Sequence, residues 1–159
     1  MSKRIIFMGT PEFSVSPLES LIKSNYEIIA VYSQSPKRAH RGKKINSSSV
    51  ENFARKNSLI VRTPEILDSE QEYNFIKKLN PDIVVVVAYG KIIPKRFLSL
   101  SKYGFINIHA SLLPKWRGAA PIQRSIMNLD TETGISIMKI NEDLDAGPIV
   151  HQTKIDIDE

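Results

Sequence analysis

The sequence contains no cysteine, which removes disulfide frameworks, thiolate metal sites and cysteine nucleophiles from consideration. It has no long apolar run either: the longest, residues 83–88, falls far short of the ~20 residues a membrane-spanning helix needs. A basic-then-apolar leader is also missing, because Arg4-Ile5-Ile6-Phe7-Met8 already reads as a strand running into a glycine turn. These absences point to a soluble protein of a reducing, cytoplasmic compartment. After that first strand stands Gly9-Thr10-Pro11-Glu12-Phe13, which lacks the G-x-G-x-x-G spacing of a dinucleotide turn and argues against a nicotinamide enzyme.

With 159 residues, 42% of them hydrophobic and 25% charged, the chain has the size of one ordinary domain with a real core. The net charge of +5 is concentrated, since Lys37, Arg38, Arg41, Lys43 and Lys44 carry five positive charges with no acid among them. The surrounding segment, residues 33–49, is polar and poor in apolar anchors, and reads as an exposed loop inside the domain.

Apolar runs rich in Ile and Val recur at residues 5–8, 28–32, 59–61, 83–88, 105–108, 135–140 and 149–153. Between them, residues 16–23, 49–57, 69–79 and 120–128 show helical spacing, several opening at a serine suited to cap the first turn. The fold class expected is α/β, a Rossmann-like, mostly parallel open sheet with helices on both faces. The central runs lack polar alternation, which requires burial on both sides of the sheet. The last two runs lie close together in sequence, which predicts an antiparallel pair near the C-terminal end.

In an open sheet of this kind ligands bind at the carboxyl ends of the strands. There Asn107-Ile108-His109 ends a strand, and the i, i+2 spacing sets both polar side chains on one face with Ile108 toward the packed side. The next segment, residues 110–121, mixes loop-forming and aromatic residues, and Leu144-Asp145-Ala146-Gly147-Pro148 sets a carboxylate in a tight turn between two strands. Spacing alone leaves two readings open: a catalytic Asn, His and Asp, or two loop-satisfying polar groups beside a buried, hydrogen-bonded histidine.

The order and wording of these segments resemble the folate-dependent formyltransferase family over nearly the whole length. Phe7-Met8-Gly9-Thr10-Pro11-Glu12-Phe13, Val87-Ala88-Tyr89-Gly90, Ser111-Leu112-Leu113-Pro114 and Arg117-Gly118-Ala119-Ala120-Pro121-Ile122-Gln123 look like the branch of that family acting on methionyl-tRNA rather than the purine-pathway branch. The sequence departs from that pattern at His40, where glycine is usual, and at Lys139, where glutamine is common.

The resemblance implies transfer of a formyl group from 10-formyltetrahydrofolate to the α-amine of methionyl-tRNA, the formylation of initiator tRNA in translation initiation, with no metal. It maps the family's catalytic residues onto Asn107, His109 and Asp145. Asn107 and His109 would form an oxyanion hole, and Asp145 would orient the ring and stabilise its protonated form. The folate would contact Val86, Val87, Ala88, Tyr89 and Gly90, Ser111, Leu112, Leu113 and Pro114, and Asn141, Glu142, Asp143 and Leu144. The basic loop would contact tRNA phosphates through Lys37, Arg38, Arg41, Lys43 and Lys44. Family members are expected to be monomeric and to continue past residue 159 into more of the catalytic domain and a C-terminal β-barrel that helps hold tRNA. Residues 1–159 then correspond to an N-terminal catalytic domain, incomplete at its C-terminal end. Two alternatives remain: a non-catalytic folate- or tRNA-binding fragment, and a small-molecule amine formyltransferase on the same fold.

Overall fold

A computed structural model describes residues 2–38 and 45–158. The chain divides into two compact units, Met1–Gly104 and Phe105–Glu159.

The first unit opens with β1 (Arg4–Gly9), a 3-10 turn at Glu12–Ser14 and α1 (Val15–Lys23), followed by β2 (Glu27–Tyr32). Two short strands, β3 (Lys37–Arg38) and β4 (Ile45–Asn46), precede α2 (Ser49–Lys56), β5 (Val61–Arg62), α3 (Glu70–Leu79) and β6 (Ile83–Val87). Its sheet has the order β5-β2-β1-β6 and every pairing is parallel. Successive side chains on a strand face opposite sides, and Ile6, Phe7 and Met8 on β1 and Ala30, Val31 and Tyr32 on β2 are all fully buried. Both faces of these strands are therefore covered, as the uninterrupted apolar runs predict.

Helix ends follow local chemistry. The Ser48 hydroxyl accepts from Glu51 N at 2.9 Å to cap α2, and the Ser69 hydroxyl accepts from Glu72 N at 3.3 Å to cap α3. Ser16, the serine expected to open the first helix, lies inside α1, which begins at Val15 without a side-chain cap; the residue at the cap position, buried Ser14, instead donates to the Val87 carbonyl at 2.6 Å. The α3 helix is tied to β2 by Tyr32, whose hydroxyl donates to Glu72 Oε2 at 2.7 Å, while the Arg62 guanidinium forks onto the same carboxylate. Burial, and then the Glu72 contact, push the Tyr32 hydroxyl well above the usual phenol range.

The segment read as a plain loop at residues 33–49 contains an antiparallel pairing, Lys37 with Asn46 and Arg38 with Ile45.

The second unit comprises β7 (Phe105–His109), α4 (Pro121–Met127), β8 (Glu132–Lys139) and β9 (Ile149–Asp156). Its strands run in the order β7-β8-β9, and both pairings are antiparallel. The expected antiparallel pair is β8 with β9, and β7 with β8 is a further one. Among the described residues no helix is long and apolar enough to cross a membrane.

Candidate active site

Asn107 and His109 lie at the end of β7 and Asp145 in the loop between β8 and β9, so all three belong to the second unit. Asn107 Nδ2 donates to Asp145 Oδ1 at 3.2 Å, and Gly118 N donates to Asp145 Oδ2 at 2.8 Å. His109 Nδ1 stands 3.6 Å from Asp145 Oδ2, with the two side chains only 7% and 12% exposed. His109 Nε2 is 2.9 Å from the Trp116 carbonyl oxygen. A carbonyl can only accept, so Nε2 is the nitrogen that carries the hydrogen in this contact. Ile108, expected on the packed side, is half-buried, whereas His109 and Phe105 on the opposite face are buried. The polar face of β7 is thus the more enclosed one, because residues 110–118 and the Asp145 loop fold over it.

The loop that carries Asp145 is closed at its base by Lys139 N donating to the Pro148 carbonyl at 2.9 Å. Gly147 makes the closure possible: a Cβ there would lie 1.8 Å from the Lys139 carbonyl oxygen. Asp145 adopts a left-handed backbone, φ 47°, a region where Asp and Asn are the best tolerated of non-glycine residues. Asn141 Oδ1 accepts from Asp143 N at 3.1 Å, an Asx turn that shapes the start of the loop.

Residues 111–118 are held from beneath by groups that sequence reasoning did not single out. Ser136, fully buried on β8, donates to the Ser111 carbonyl at 2.6 Å and accepts from Leu113 N at 3.0 Å and from Gln152 Nε2 at 2.8 Å. Ser111 in turn donates to the Lys115 carbonyl at 2.7 Å. Asp130, just past α4, accepts from Lys115 Nζ, Trp116 Nε1 and Asn128 Nδ2, each at 2.7 Å. The hydrogen bond from Lys115, followed by those from Asn128 and Trp116, holds the Asp130 carboxyl down to about 2. Trp116, Gly118 and Ala120 all have positive φ, at 60°, 85° and 54°.

Of the residues expected to contact folate, Ser111, Leu112, Leu113 and Pro114 form the turn anchored by Ser136, with Ser111 and Leu113 buried. Asn141, Glu142, Asp143 and Leu144 are exposed in the Asp145 loop. Val86, Val87, Ala88, Tyr89 and Gly90 belong to the first unit, where Val86, Val87 and Tyr89 are core and Ala88 and Gly90 are exposed. There Thr10 Oγ1 donates to the Tyr89 carbonyl at 2.8 Å and Gln34 Nε2 to the Gly90 carbonyl at 3.1 Å, so the glycine turn after β1 helps order this segment. Of the residues expected to contact tRNA, Lys37 and Arg38 form β3, while Arg41, Lys43 and Lys44, like His40, lie outside the described residues.

Residues 3–159 match the family model described as formyl transferase. The chain belongs to the formyl transferase family. Among its relatives, a methionyl-tRNA formyltransferase of Pelagibacter ubique is 59% identical over 99% of this chain and 51% of its own length. A protein of the same name from Prochlorococcus marinus is 53% identical over 98% of this chain and 48% of its own length. This formyl transferase chain therefore spans about half the length of the curated relatives it matches. Among solved structures, a phosphoribosylglycinamide formyltransferase from Bacillus halodurans aligns with a TM-score of 0.78 at 21% identity, over 99% of this chain and 81% of its own. A formyltetrahydrofolate deformylase from Pseudomonas syringae aligns with a TM-score of 0.76 at 23% identity, over 99% of this chain and 52% of its own. At such identities the likeness is one of fold, and it agrees with the mixed, Rossmann-like α/β architecture expected from the sequence.

Proposed function

We propose that this chain carries the formyl-transferring site of a methionyl-tRNA formyltransferase, with Asn107, His109 and Asp145 as the reacting groups. The observation that carries the reading is the Asp145 carboxylate, which is bonded to the Asn107 amide and faces the His109 ring. The names of the relatives at 59% and 53% identity supply the amine acceptor, methionyl-tRNA.

The donor set fits a formyl carbonyl that gains negative charge. Asn107 uses one amide N–H on Asp145, and an amide carries two, so the second can be offered to the developing oxyanion. Losing such a donor costs on the order of 10²–10³ in rate. His109 is held through Nε2 by the Trp116 carbonyl, which leaves Nδ1 as the nitrogen that gives or takes a proton. Nδ1 would accept the proton released as the α-amine bonds to the formyl carbon. Asp145, 3.6 Å away, offsets the positive charge the ring then gains. The same proton returns to the nitrogen that leaves the formyl carbon, so the site ends as it began.

When bound, 10-formyltetrahydrofolate would supply the formyl group. In the second unit the turn at residues 111–114 and the loop at residues 141–144 are proposed to contact it. In the first unit the exposed backbone of Ala88 and Gly90 is proposed to do so, with Val86, Val87 and Tyr89 as its buried support. Lys37, Arg38, Arg41, Lys43 and Lys44 are proposed to bind tRNA phosphates. Neutralising them should weaken tRNA binding and flatten its salt dependence while leaving folate affinity unchanged, and a salt slope equal to that of the unaltered chain would reject this role. The decisive experiment is a formyl-transfer assay with methionyl-tRNA and with small amines, on this chain and on a form extended to the length of its relatives. Transfer to methionyl-tRNA that disappears with Asn107→Ala or His109→Ala supports the reading, and transfer only to small amines refutes it.

A further inference from the structure

We infer that Asp130 is a positioning residue for the His109 ring, acting through Trp116. The inference rests on the reading of Asn107, His109 and Asp145 as the reacting site. Asp130 is far from an ordinary surface carboxylate: its side chain is 7% exposed and receives three donors, the Trp116 indole N–H among them. Its own backbone is fixed, since Asp130 N donates to the Ser125 carbonyl at 3.0 Å at the end of α4.

Trp116 has a left-handed backbone, φ 60°, which a bulky residue keeps only when its surroundings impose it. The left-handed well is narrow in ψ as well as in φ, so within it the carbonyl keeps one direction relative to the Cα–Cβ bond, and an indole anchored on Asp130 limits how far that carbonyl can turn. The Trp116 carbonyl is the acceptor for His109 Nε2. Asp130 thereby determines which ring nitrogen bears the hydrogen and which one turns to Asp145, although it touches neither the ring nor any reacting atom. Outer groups that fix a histidine's tautomer are known to decide its chemistry.

Trp116 is the only tryptophan of the chain, so its indole N–H gives a single NMR resonance that reports the Asp130 contact directly. His109 is followed in the same samples through its ring nitrogens, assigned by comparison with His109→Gln. In the unaltered chain the neutral ring is expected with its hydrogen on Nε2. In Asp130→Asn the indole resonance should move upfield and His109 should become a mixture of tautomers, whereas Asp130→Glu should restore much of both signals. Lys115→Met, which spares the indole contact, should leave His109 unchanged. In formyl transfer by the extended form, Asp130→Asn should lower kcat by about 10-fold to 10²-fold, as expected for a misplaced group, with little change in KM for the folate.

If the indole resonance moves while the His109 tautomer stays the same, Asp130 merely clamps the loop and the inference is overturned. An unmoved indole resonance overturns it as well. Should Asp130→Asn not fold, Trp116→Phe removes the same donor with Asp130 in place. It must reproduce the tautomer change, and failure to do so is equally decisive. Coupled indole and histidine signals in a protein that transfers no formyl group would refute the proposed function while leaving the positioning of His109 by Asp130 intact.

Discussion

Replacing Ser136 with alanine isolates the support beneath the site. The Ser136 hydroxyl is completely enclosed and holds the turn at residues 111–114 from both ends, donating to the Ser111 carbonyl and accepting from Leu113 N. Gln152 Nε2 also reaches it but keeps a second partner, the Leu113 carbonyl at 3.0 Å, and so is not orphaned by the change. Two buried backbone groups are left without a partner. At about 1–3 kcal/mol for each group stranded away from water, the expected loss is roughly 2–6 kcal/mol, a large share of the ~5–15 kcal/mol that holds a domain folded. Urea unfolding followed by Trp116 fluorescence measures this loss in the unit that carries the site. Gln152→Ala serves as the comparison, because the only backbone group it deprives of a donor is the part-buried Leu113 carbonyl, while Leu113 N and the Ser111 carbonyl stay paired with Ser136, and it should cost about 1 kcal/mol. A loss below about 1 kcal/mol for Ser136→Ala, or equal losses for the two variants, would refute the view that this hydroxyl anchors the turn.

Asp145→Asn keeps the left-handed backbone but presents an N–H where an oxygen now accepts from Asn107 or Gly118. Stability should fall by about 1–3 kcal/mol and the transfer rate by roughly 10²-fold or more, and an unchanged kcat would remove Asp145 from the mechanism. Gly147→Ala drives a methyl group into the Lys139 carbonyl and should open the Asp145 loop at a cost of about 1–3 kcal/mol. The Gly118 amide resonance, which reports the bond to Asp145, is expected to shift, and a spectrum like that of the unaltered chain would show that the loop accommodates the methyl group. Asp130 has its folded-state pKa lowered from 3.8 to about 2, so its contribution is complete above pH ~4 and is lost as the pH falls toward ~2. The difference in urea midpoint between the unaltered chain and Asp130→Asn should narrow from pH 5 to pH 3, and a constant difference would contradict a charge-based role.

The parts of the fold legible in the sequence are those where burial imposes a simple pattern. β1 and β6 are uninterrupted apolar runs because both sides are covered, and they fall where periodicity sets them. The later strands were less readable at their ends: β8 starts at Glu132 and β9 extends to Asp156, through polar residues that an exposed strand accommodates. The β3 and β4 pairing has two residues on each side, too few to leave any period. In the site, Asn107, His109 and Asp145 stood out as polar residues at strand ends and in a turn. Asp130 and Ser136 did not, because they act on atoms every residue has, or on a distant side chain that only folding brings near. The one signal that pointed toward Asp130 was the tryptophan within the loop, since an indole N–H that becomes buried needs an acceptor.

Solvent exposure is usually the best guide to where a protein tolerates substitution. Residues 114–120 should invert that relation. Pro114, Lys115, Arg117, Ala119 and Ala120 are exposed, yet Trp116, Gly118 and Ala120 hold left-handed backbones, and the Trp116 carbonyl and the Gly118 amide bond to His109 and Asp145. A left-handed backbone costs a side-chain-bearing residue about 1–2 kcal/mol, and a β-branched one more. A saturation library across this stretch should therefore read like a core, with valine, isoleucine and threonine depleted at positions 116, 118 and 120 although the first two are only half-buried and Ala120 is exposed. A family scan that ranks positions by burial would pass over the very segment whose backbone directions orient the histidine and the aspartate.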